Sequence, residues 1–146
     1  MTNYQFILLS DTKIEIQTTP VTSEQYHLVF QNHQVQAKKG STNLYITNVS
    51  ASDAKKFANA MNARLPKLSE IVALANTSRG IEEFFPYHKE IITSEWLDCK
   101  PDYFGTSTDN HCLVITSSLR YGRETCAHGS IQDRGTDFVT FRLVKE

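Results

Sequence analysis

The stretch of residues 62–74, NARLPKLSEIVAL, constrains the fold of this chain more than any other feature. Upstream of the break, apolar residues recur at helical spacing from Ala54 to Met61. Pro66 cannot continue a helix, so this helix must end at or before Leu65. A second run follows at once, with apolar residues at intervals of three and four: Leu68, Ile71, Val72 and Ala75. Because such short helices depend on tertiary packing, the sequence predicts two helices that meet at a corner and pack on one core.

Polar residues indicate where the helices begin. Thr22 and Gln25 have the spacing of a capping box ahead of a first helix. Ser50 and Asp53 form a similar signal before the helix that enters the corner, where an acidic residue also suits the helix dipole. Lys67 precedes the helix that leaves the corner. A lysine has no acceptor for backbone N–H groups and its charge opposes the dipole, so this helix start is expected to be weak.

Strand patterns lie near both ends of the chain. Residues 5–18 predict two short strands around a turn, with Ile14 and Ile16 on one face of the second and Gln17 on the other. Further strands are expected in HCLVIT at 111–116 and in FVTFRLV at 138–144. This order predicts a single α+β domain over residues 1–146. In it, short helices pack on a small, mainly antiparallel sheet closed by the terminal strands, with long irregular loops between elements.

Composition argues against several classes of function. The 146 residues include 15 basic and 16 acidic side chains, and the net charge of −1 gives no bulk attraction to nucleic acid. No apolar run approaches the ~18 residues of a membrane span. The short run at residues 6–9 is more typical of a strand than of a signal peptide. We therefore expect a soluble, cytoplasmic protein with no nucleic-acid or membrane partner; the sequence leaves the oligomeric state open.

The cysteines, Cys99, Cys112 and Cys126, follow no recognisable ligand pattern. An odd number without C-x-x-C spacing argues against a disulfide framework and against a zinc cluster, so reduced thiols are expected. Cys112 lies in an apolar strand and is expected to be a small core residue.

Three segments of the chain carry residues, in sequence order, that are typical of one known family. They are PVTSEQYHLVF at 20–30, NVSASDAKKFANAMNARLPKLSEIVALA at 48–75 and FRLV at 141–144, with a weaker fourth match in SEWLD at 94–98. The second is the most specific because it matches without a gap at Val49, Ser50, Asp53, Ala54, Phe57, Arg64, Leu65, Pro66 and Glu70. Together they resemble the formylglycine-generating enzyme and sulfatase-modifying-factor family, which has a variant of the C-type lectin fold.

This resemblance implies a C-type lectin-like scaffold in which Asp53, Phe57, Arg64 and Glu70 are structural. Arg64 is then the candidate partner of a carboxylate in a buried or half-buried ion pair, with Glu70 as the first choice. The chain departs from the family at three tryptophan positions and one glycine: Ala51, Ala60, Ile71 and Thr140. It therefore resembles a short, diverged member that keeps the scaffold.

The family's oxidase activity uses a pair of nearby cysteines that bind copper, since soft thiolates suit Cu(I). The corresponding region here, 117–137, contains Cys126 alone, and a site shared with Cys112 would not match the family spacing. We therefore expect a protein without the oxidase and without a cofactor. A copper- or iron-dependent oxidase that uses Cys126 with Cys112 or His128 is the alternative. Structural calcium is a further alternative, because many family members bind it and acidic loop residues are present: Asp102, Asp109, Asp133 and Asp137.

The remaining candidate site is a binding surface in the irregular segments before the last strand, because loops on a rigid scaffold commonly carry recognition. Tyrosine, tryptophan and arginine dominate interface energies. The candidates in 118–137 are Arg120, Tyr121, Arg123, His128, Gln132 and Arg134, bordered by Trp96 and Tyr103. A solvated loop with ordinary surface arginines is the competing interpretation. The sequence thus predicts a non-catalytic module that binds a protein or a small-molecule ligand, with a regulatory or partner subunit of a neighbouring gene product as a further alternative.

Overall fold

A computed structural model of the chain describes residues 4–9, 12–30, 44–77, 84–85, 92–98, 112–116 and 135–146, and the backbone of 126–127. These ranges contain the helices α1 (Ser23–Val29), α2 (Ala51–Ala60) and α3 (Leu68–Ala75). The strands are β1 (Phe6–Leu8), β2 (Glu15–Gln17), β3 (Ser94–Leu97), β4 (Cys112–Ile115), β5 (Cys126–Ala127), β6 (Val139–Thr140) and β7 (Val144–Lys145). The predicted α+β class is confirmed.

The described strands form two small sheets where the sequence predicts one. The first sheet has the order β1–β2–β7 and its pairs are antiparallel. Ile16 of β2 lies opposite Val144 of β7, so strands near the two ends of the sequence pair as predicted. The second sheet has the order β5–β4–β3–β6, in which β3 and β6 are parallel and the other described pairs are antiparallel.

Two clusters of buried side chains form the core of the described residues. One includes Ile16 of the first sheet, Ile71 of α3 and Val114 of β4. The other includes Tyr26 of α1 and Phe57 of α2, whose ring centroids are 5.2 Å apart. The two helices at the corner therefore pack on different clusters, and the prediction that they share one core is wrong. The corner turns the chain from one cluster to the other.

The segment 138–144 is not the continuous strand that its alternation predicts. β6 belongs to the second sheet and β7 to the first, so the chain crosses between the sheets within this segment. The alternation still sets the side-chain directions, because Val139, Phe141 and Leu143 are all buried in the cluster beneath α1 and α2. Arg142 is buried as well, at 0% exposure, and a buried arginine requires partners inside the protein.

The β1–β2 hairpin is present as predicted, with Phe6 opposite Gln17. Although the alternation puts Gln17 on the polar face of its strand, its side chain is buried. Its Oε1 accepts a hydrogen bond from the N–H of Leu143 at 3.1 Å, and its own N–H donates to the Leu143 carbonyl at 2.9 Å. The Gln17 side chain thus pairs a buried backbone group of the segment that crosses between the sheets.

The helix starts agree with the capping signals. Thr22 Oγ1 accepts from the Gln25 N–H at 3.1 Å and Gln25 Oε1 accepts from the Thr22 N–H at 2.9 Å, so the predicted capping box is formed. Ser50 Oγ accepts from the Asp53 N–H at 3.0 Å. Lys67 provides no side-chain cap for α3, also as predicted.

Helix α2 ends well before Pro66, because the chain turns at Asn62. Asn62 has a φ of 54°, in the left-handed region that few residue types other than glycine adopt. The Asn62 N–H donates to the Asn59 carbonyl at 3.1 Å and the Ala63 N–H donates to the Ala58 carbonyl at 2.8 Å. These bonds form a Schellman motif, so Asn62 stops the helix and Pro66 only excludes its continuation.

Replacing Asn62 with alanine is expected to lower the free energy of unfolding by about 1 kcal/mol, because a side chain without a local hydrogen bond disfavours positive φ. Asn62→Gly is the matched control and is expected to be neutral or slightly stabilising. Urea denaturation of both variants measures the difference. Equal losses in the two variants would contradict this assignment of the helix stop.

Candidate functional site

An ion pair holds the Arg-Leu-Pro corner. Arg64 Nη1 donates to Glu70 Oε1 at 2.8 Å and Arg64 Nη2 donates to Glu70 Oε2 at 2.7 Å. The exposed fractions of the two side chains are 22% and 7%. Glu70 Oε1 also accepts from the Lys67 N–H at 2.7 Å, so it satisfies a free backbone donor at the start of α3. The predicted Arg64–Glu70 pair is confirmed.

Arg64 also connects the corner to the first sheet. Its N–H donates to the Val144 carbonyl at 3.0 Å, and its carbonyl accepts from the Val144 N–H at 2.8 Å. Its Nε donates to Glu146 Oε1 at 2.8 Å, where the Glu146 side chain is 65% exposed. One arginine therefore fixes the start of α3 and the end of β7 in the same place.

These contacts set the ionisation of the pair. Burial acts to raise the pKa of the Glu70 carboxyl, but the hydrogen bonds from Arg64 and from the Lys67 N–H outweigh it, so this pKa lies below its ordinary value. The hydrogen bonds to Glu70 raise the pKa of Arg64, more than burial lowers it. Both groups are charged at neutral pH, and the pair acts as scaffold.

A second ion pair is completely buried. Arg142 Nε donates to Glu95 Oε1 at 2.7 Å and Arg142 Nη2 donates to Glu95 Oε2 at 2.7 Å. Both side chains have 0% exposure. Removing two charges from water costs several kcal/mol per ion, so such a pair persists only when further hydrogen bonds satisfy its remaining groups.

The remaining donors of Arg142 have partners. Its Nη1 donates to the carbonyl of Thr18 at 3.0 Å and to that of Gln17 at 3.3 Å, and its Nη2 donates to the carbonyl of Phe84 at 2.8 Å. The Phe85 ring lies beneath the guanidinium, with the centroid 4.5 Å from Cζ. Because Glu95 lies on β3 and Thr18 follows β2, this arginine joins the two sheets.

Sequence reasoning missed the pairing of Arg142 with Glu95. Both residues lie in segments that match the family resemblance, FRLV and SEWLD. The available signal was an arginine within a strand whose neighbours are all apolar, a position that requires a buried carboxylate. Glu95 is 47 residues away in the sequence, and nothing in the sequence identifies it as that carboxylate.

The second sheet positions the segments that carry the predicted recognition residues. β4 ends at Ile115, which lies opposite Ser94, and β5 begins at Cys126, which lies opposite Val114, so residues 117–125 connect these two strand ends. Residues 128–134 lead to β6, whose first residue, Val139, also pairs with Ser94. We call the end of the sheet at which Ser94 lies between Ile115 and Val139 the Ser94 end.

Backbone hydrogen bonds join the strands tightly at the Ser94 end. The Thr93 carbonyl accepts from the Thr116 N–H at 2.9 Å and from the Thr116 hydroxyl at 3.0 Å. The Phe138 carbonyl accepts from the N–H groups of Thr93 and Ser94 at 2.9 and 3.2 Å. The Phe138 side chain is 48% exposed, so an aromatic ring lies on the surface beside these attachment points.

A close backbone contact fixes the approach to β6. A Cβ atom on Gly135 would lie 2.3 Å from the carbonyl carbon of Asn48, so no side chain fits there. The Asn48 N–H donates to the Thr136 carbonyl at 2.9 Å, and Asn48 itself has a φ of 61°. The segment that precedes β6 is therefore held against the chain that enters α2.

Most of the predicted recognition residues lie outside the described residues: Tyr103, Arg120, Tyr121, Arg123, His128, Gln132 and Arg134. Trp96 is described and is 1% exposed, with its indole N–H donating to the Val49 carbonyl at 2.9 Å. The structure thus puts Trp96 in the core and not on an exposed border. The segment that contains Tyr103 connects Leu97 to Cys112, at the end of the sheet opposite the Ser94 end.

The cysteines differ from the prediction. Cys112 is 1% exposed, as expected of a core residue, but it is disulfide-bonded, so the prediction of reduced thiols is wrong for this residue. The oxidase alternative needs a free thiolate at Cys126, with Cys112 or His128 as second ligand, and Cys112 has none in this state. Among the described residues no three His, Cys, Asp or Glu side chains are grouped to hold a metal ion. Of the proposed calcium ligands, Asp137 alone is described.

No protein-family model matches this chain, and no curated protein matches it at a significant level. The resemblance to the formylglycine-generating-enzyme family therefore stays a prediction that rests on the sequence segments above. Within the described ranges, no helix is long and apolar enough to cross a membrane.

Proposed function

We propose that this protein is a non-catalytic binding module on a C-type lectin-like scaffold of the formylglycine-generating-enzyme type. Its ligand, a protein or a small molecule, is bound by residues 117–125 and 128–134, which connect to the second sheet at the Ser94 end. The proposed contacts come from aromatic and basic side chains in these segments, chiefly Arg120, Tyr121, Arg123 and Arg134.

The observation that carries this proposal is the attachment of these segments to a buried sheet: residues 117–125 connect β4 to β5 at the Ser94 end, and residues 128–134 connect β5 to β6, which begins at that end. The Arg142–Glu95 pair fixes β3 to the first sheet, and the backbone bonds of Thr93 fix β3 to β4 and β6. A binding loop whose ends are held rigidly loses less conformational entropy when its ligand binds. The exposed ring of Phe138 at the Ser94 end adds an aromatic side chain, a type that is enriched at interfaces.

Capture from native lysate with the immobilised chain tests the proposal. Arg120→Glu with Arg123→Glu is expected to abolish capture of the specific partner, because two charges on the proposed face are reversed. Lys13→Glu with Lys56→Glu is the matched control, since both lysines are exposed and lie elsewhere on the chain. A partner that binds the first double variant as well as wild type would refute the proposed face.

A further inference from the structure

A cleft of about 200 Å³ lies beside the corner, away from the Ser94 end of the second sheet. Its apolar lining residues are Ala58 of α2 with Ala63 and Leu65 of the corner, of which Ala63 is partly exposed and the other two are buried. Its polar lining residues are Lys55, Asn59, Arg64 and Asp98. The volume is smaller than the ~300–1,000 Å³ typical of sites for drug-sized ligands, so a cleft of this size suits a small molecule.

The polar groups of the cleft differ in how far they are already paired. The Arg64 guanidinium donates to Glu70, to Glu146 and to the Leu65 carbonyl, so its charge is already paired within the protein. In the part of the chain that the structure describes, the side chains of Lys55, Asn59 and Asp98 form no hydrogen bond or ion pair. Among the described residues, the lining groups without a partner are therefore one ammonium, one amide and one carboxylate.

The positions of these groups are fixed by rigid elements. Lys55 and Asn59 are four residues apart on α2 and so lie on the same face of the helix. Asp98 directly follows β3, and its N–H donates to the Pro66 carbonyl at 2.7 Å, which attaches it to the corner. Both Lys55 and Asp98 are partly buried, so their charges are screened less than those of fully exposed side chains.

We propose that this cleft binds a small aliphatic zwitterion, of which a free aliphatic α-amino acid is the simplest example. The ligand carboxylate is held by the Lys55 ammonium and the Asn59 amide, and the ligand ammonium is held by the Asp98 carboxylate. The short aliphatic side chain contacts Ala63, the partly exposed apolar residue of the lining. A ligand that carries only a carboxylate would leave the Asp98 carboxylate without a partner, and one that carries only an ammonium would leave the Lys55 ammonium without one.

Titration of the ¹⁵N-labelled full chain with L-valine, followed by amide NMR, tests this site. L-valinamide and N-acetyl-L-valine each lack one of the two charges and serve as matched ligand controls. Concentrations up to about 20 mM cover the millimolar Kd expected of a small ligand with few contacts. We expect saturable shifts at the amides of Ala58, Asn59 and Ala63, and weaker binding of both analogues.

Protein variants complete the experiment. Lys55→Met and Asp98→Asn are each expected to weaken L-valine binding about tenfold, as for loss of one charge-assisted hydrogen bond. Lys56→Met removes the neighbouring exposed lysine, which does not line the cleft, and is expected to leave the Kd unchanged. The proposal is overturned by the absence of saturable shifts, by equal binding of the blocked analogues, or by an equal loss in Lys56→Met.

Discussion

Replacing Arg142 with methionine, or Glu95 with glutamine, is expected to lower the free energy of unfolding by about 3–5 kcal/mol, because each change leaves an unpaired charge in the core. Both side chains are fully buried, so water cannot solvate the partner that remains. In Arg142→Met, the carbonyls of Thr18 and Phe84 lose a donor as well. A loss of this size is a large part of the stability of a typical domain. Urea denaturation followed by circular dichroism measures it.

The double variant Arg142→Met with Glu95→Met separates pairing from simple truncation. It removes both charges and fills their space with apolar groups, which often recovers stability at a buried ion pair. We expect the double variant to lose clearly less free energy of unfolding than the two single variants added together. A smaller loss remains because the carbonyls that Arg142 bonded have no donor. Additive costs would mean that the two side chains do not interact as described.

The Arg64–Glu70 pair is expected to give the second-largest effect. Arg64→Met should cost about 2 kcal/mol, less than the fully buried pair, because the corner is only partly shielded from water. Glu146→Gln is the matched control within the same cluster. Because the Glu146 side chain is 65% exposed, its loss is expected to cost roughly 0.5 kcal/mol or less. Chemical denaturation of the two variants side by side makes the comparison.

The pH dependence of stability gives an independent readout of the same pair. The Glu70 pKa is lower in the folded protein than in the unfolded chain, so the unfolded chain binds this proton first as the pH falls. The stabilisation is therefore complete above the ordinary carboxyl range and is lost as the pH falls through the folded-state pKa. Glu70→Gln should flatten this acid limb of the stability profile. An unchanged limb would contradict the role of Glu70.

Local features of this fold could be predicted from the sequence, because their partners lie within a few residues. The capping box of Thr22 and the cap at Ser50 depend on contacts three residues away. The Arg64–Glu70 pair spans six residues across the corner. In each case the backbone geometry of a helix start or a tight corner nearly dictates which side chains meet.

Features that depend on distant partners could not be predicted in the same way. The partner of Arg142 is 47 residues away, and the switch of 138–144 between two sheets depends on which strands are free to pair. Proline is the stronger signal in the sequence and predicts that α2 stops because of Pro66, whereas Asn62, in the left-handed region, ends the helix before Pro66 is reached. Residue type alone indicates the candidate recognition residues, and most of them lie outside the described residues.

The most direct test of the central claim compares a variant of the recognition face with a variant of the scaffold. The Kd of the captured partner is measured for wild type, for Arg120→Glu with Arg123→Glu, and for Arg64→Met at a temperature where all three are folded. If the segments at the Ser94 end carry recognition, the double variant loses at least about tenfold in affinity with unchanged stability. Arg64→Met should then lose stability and keep its affinity. Unchanged affinity in the double variant, or an equal loss in Arg64→Met, would contradict the account.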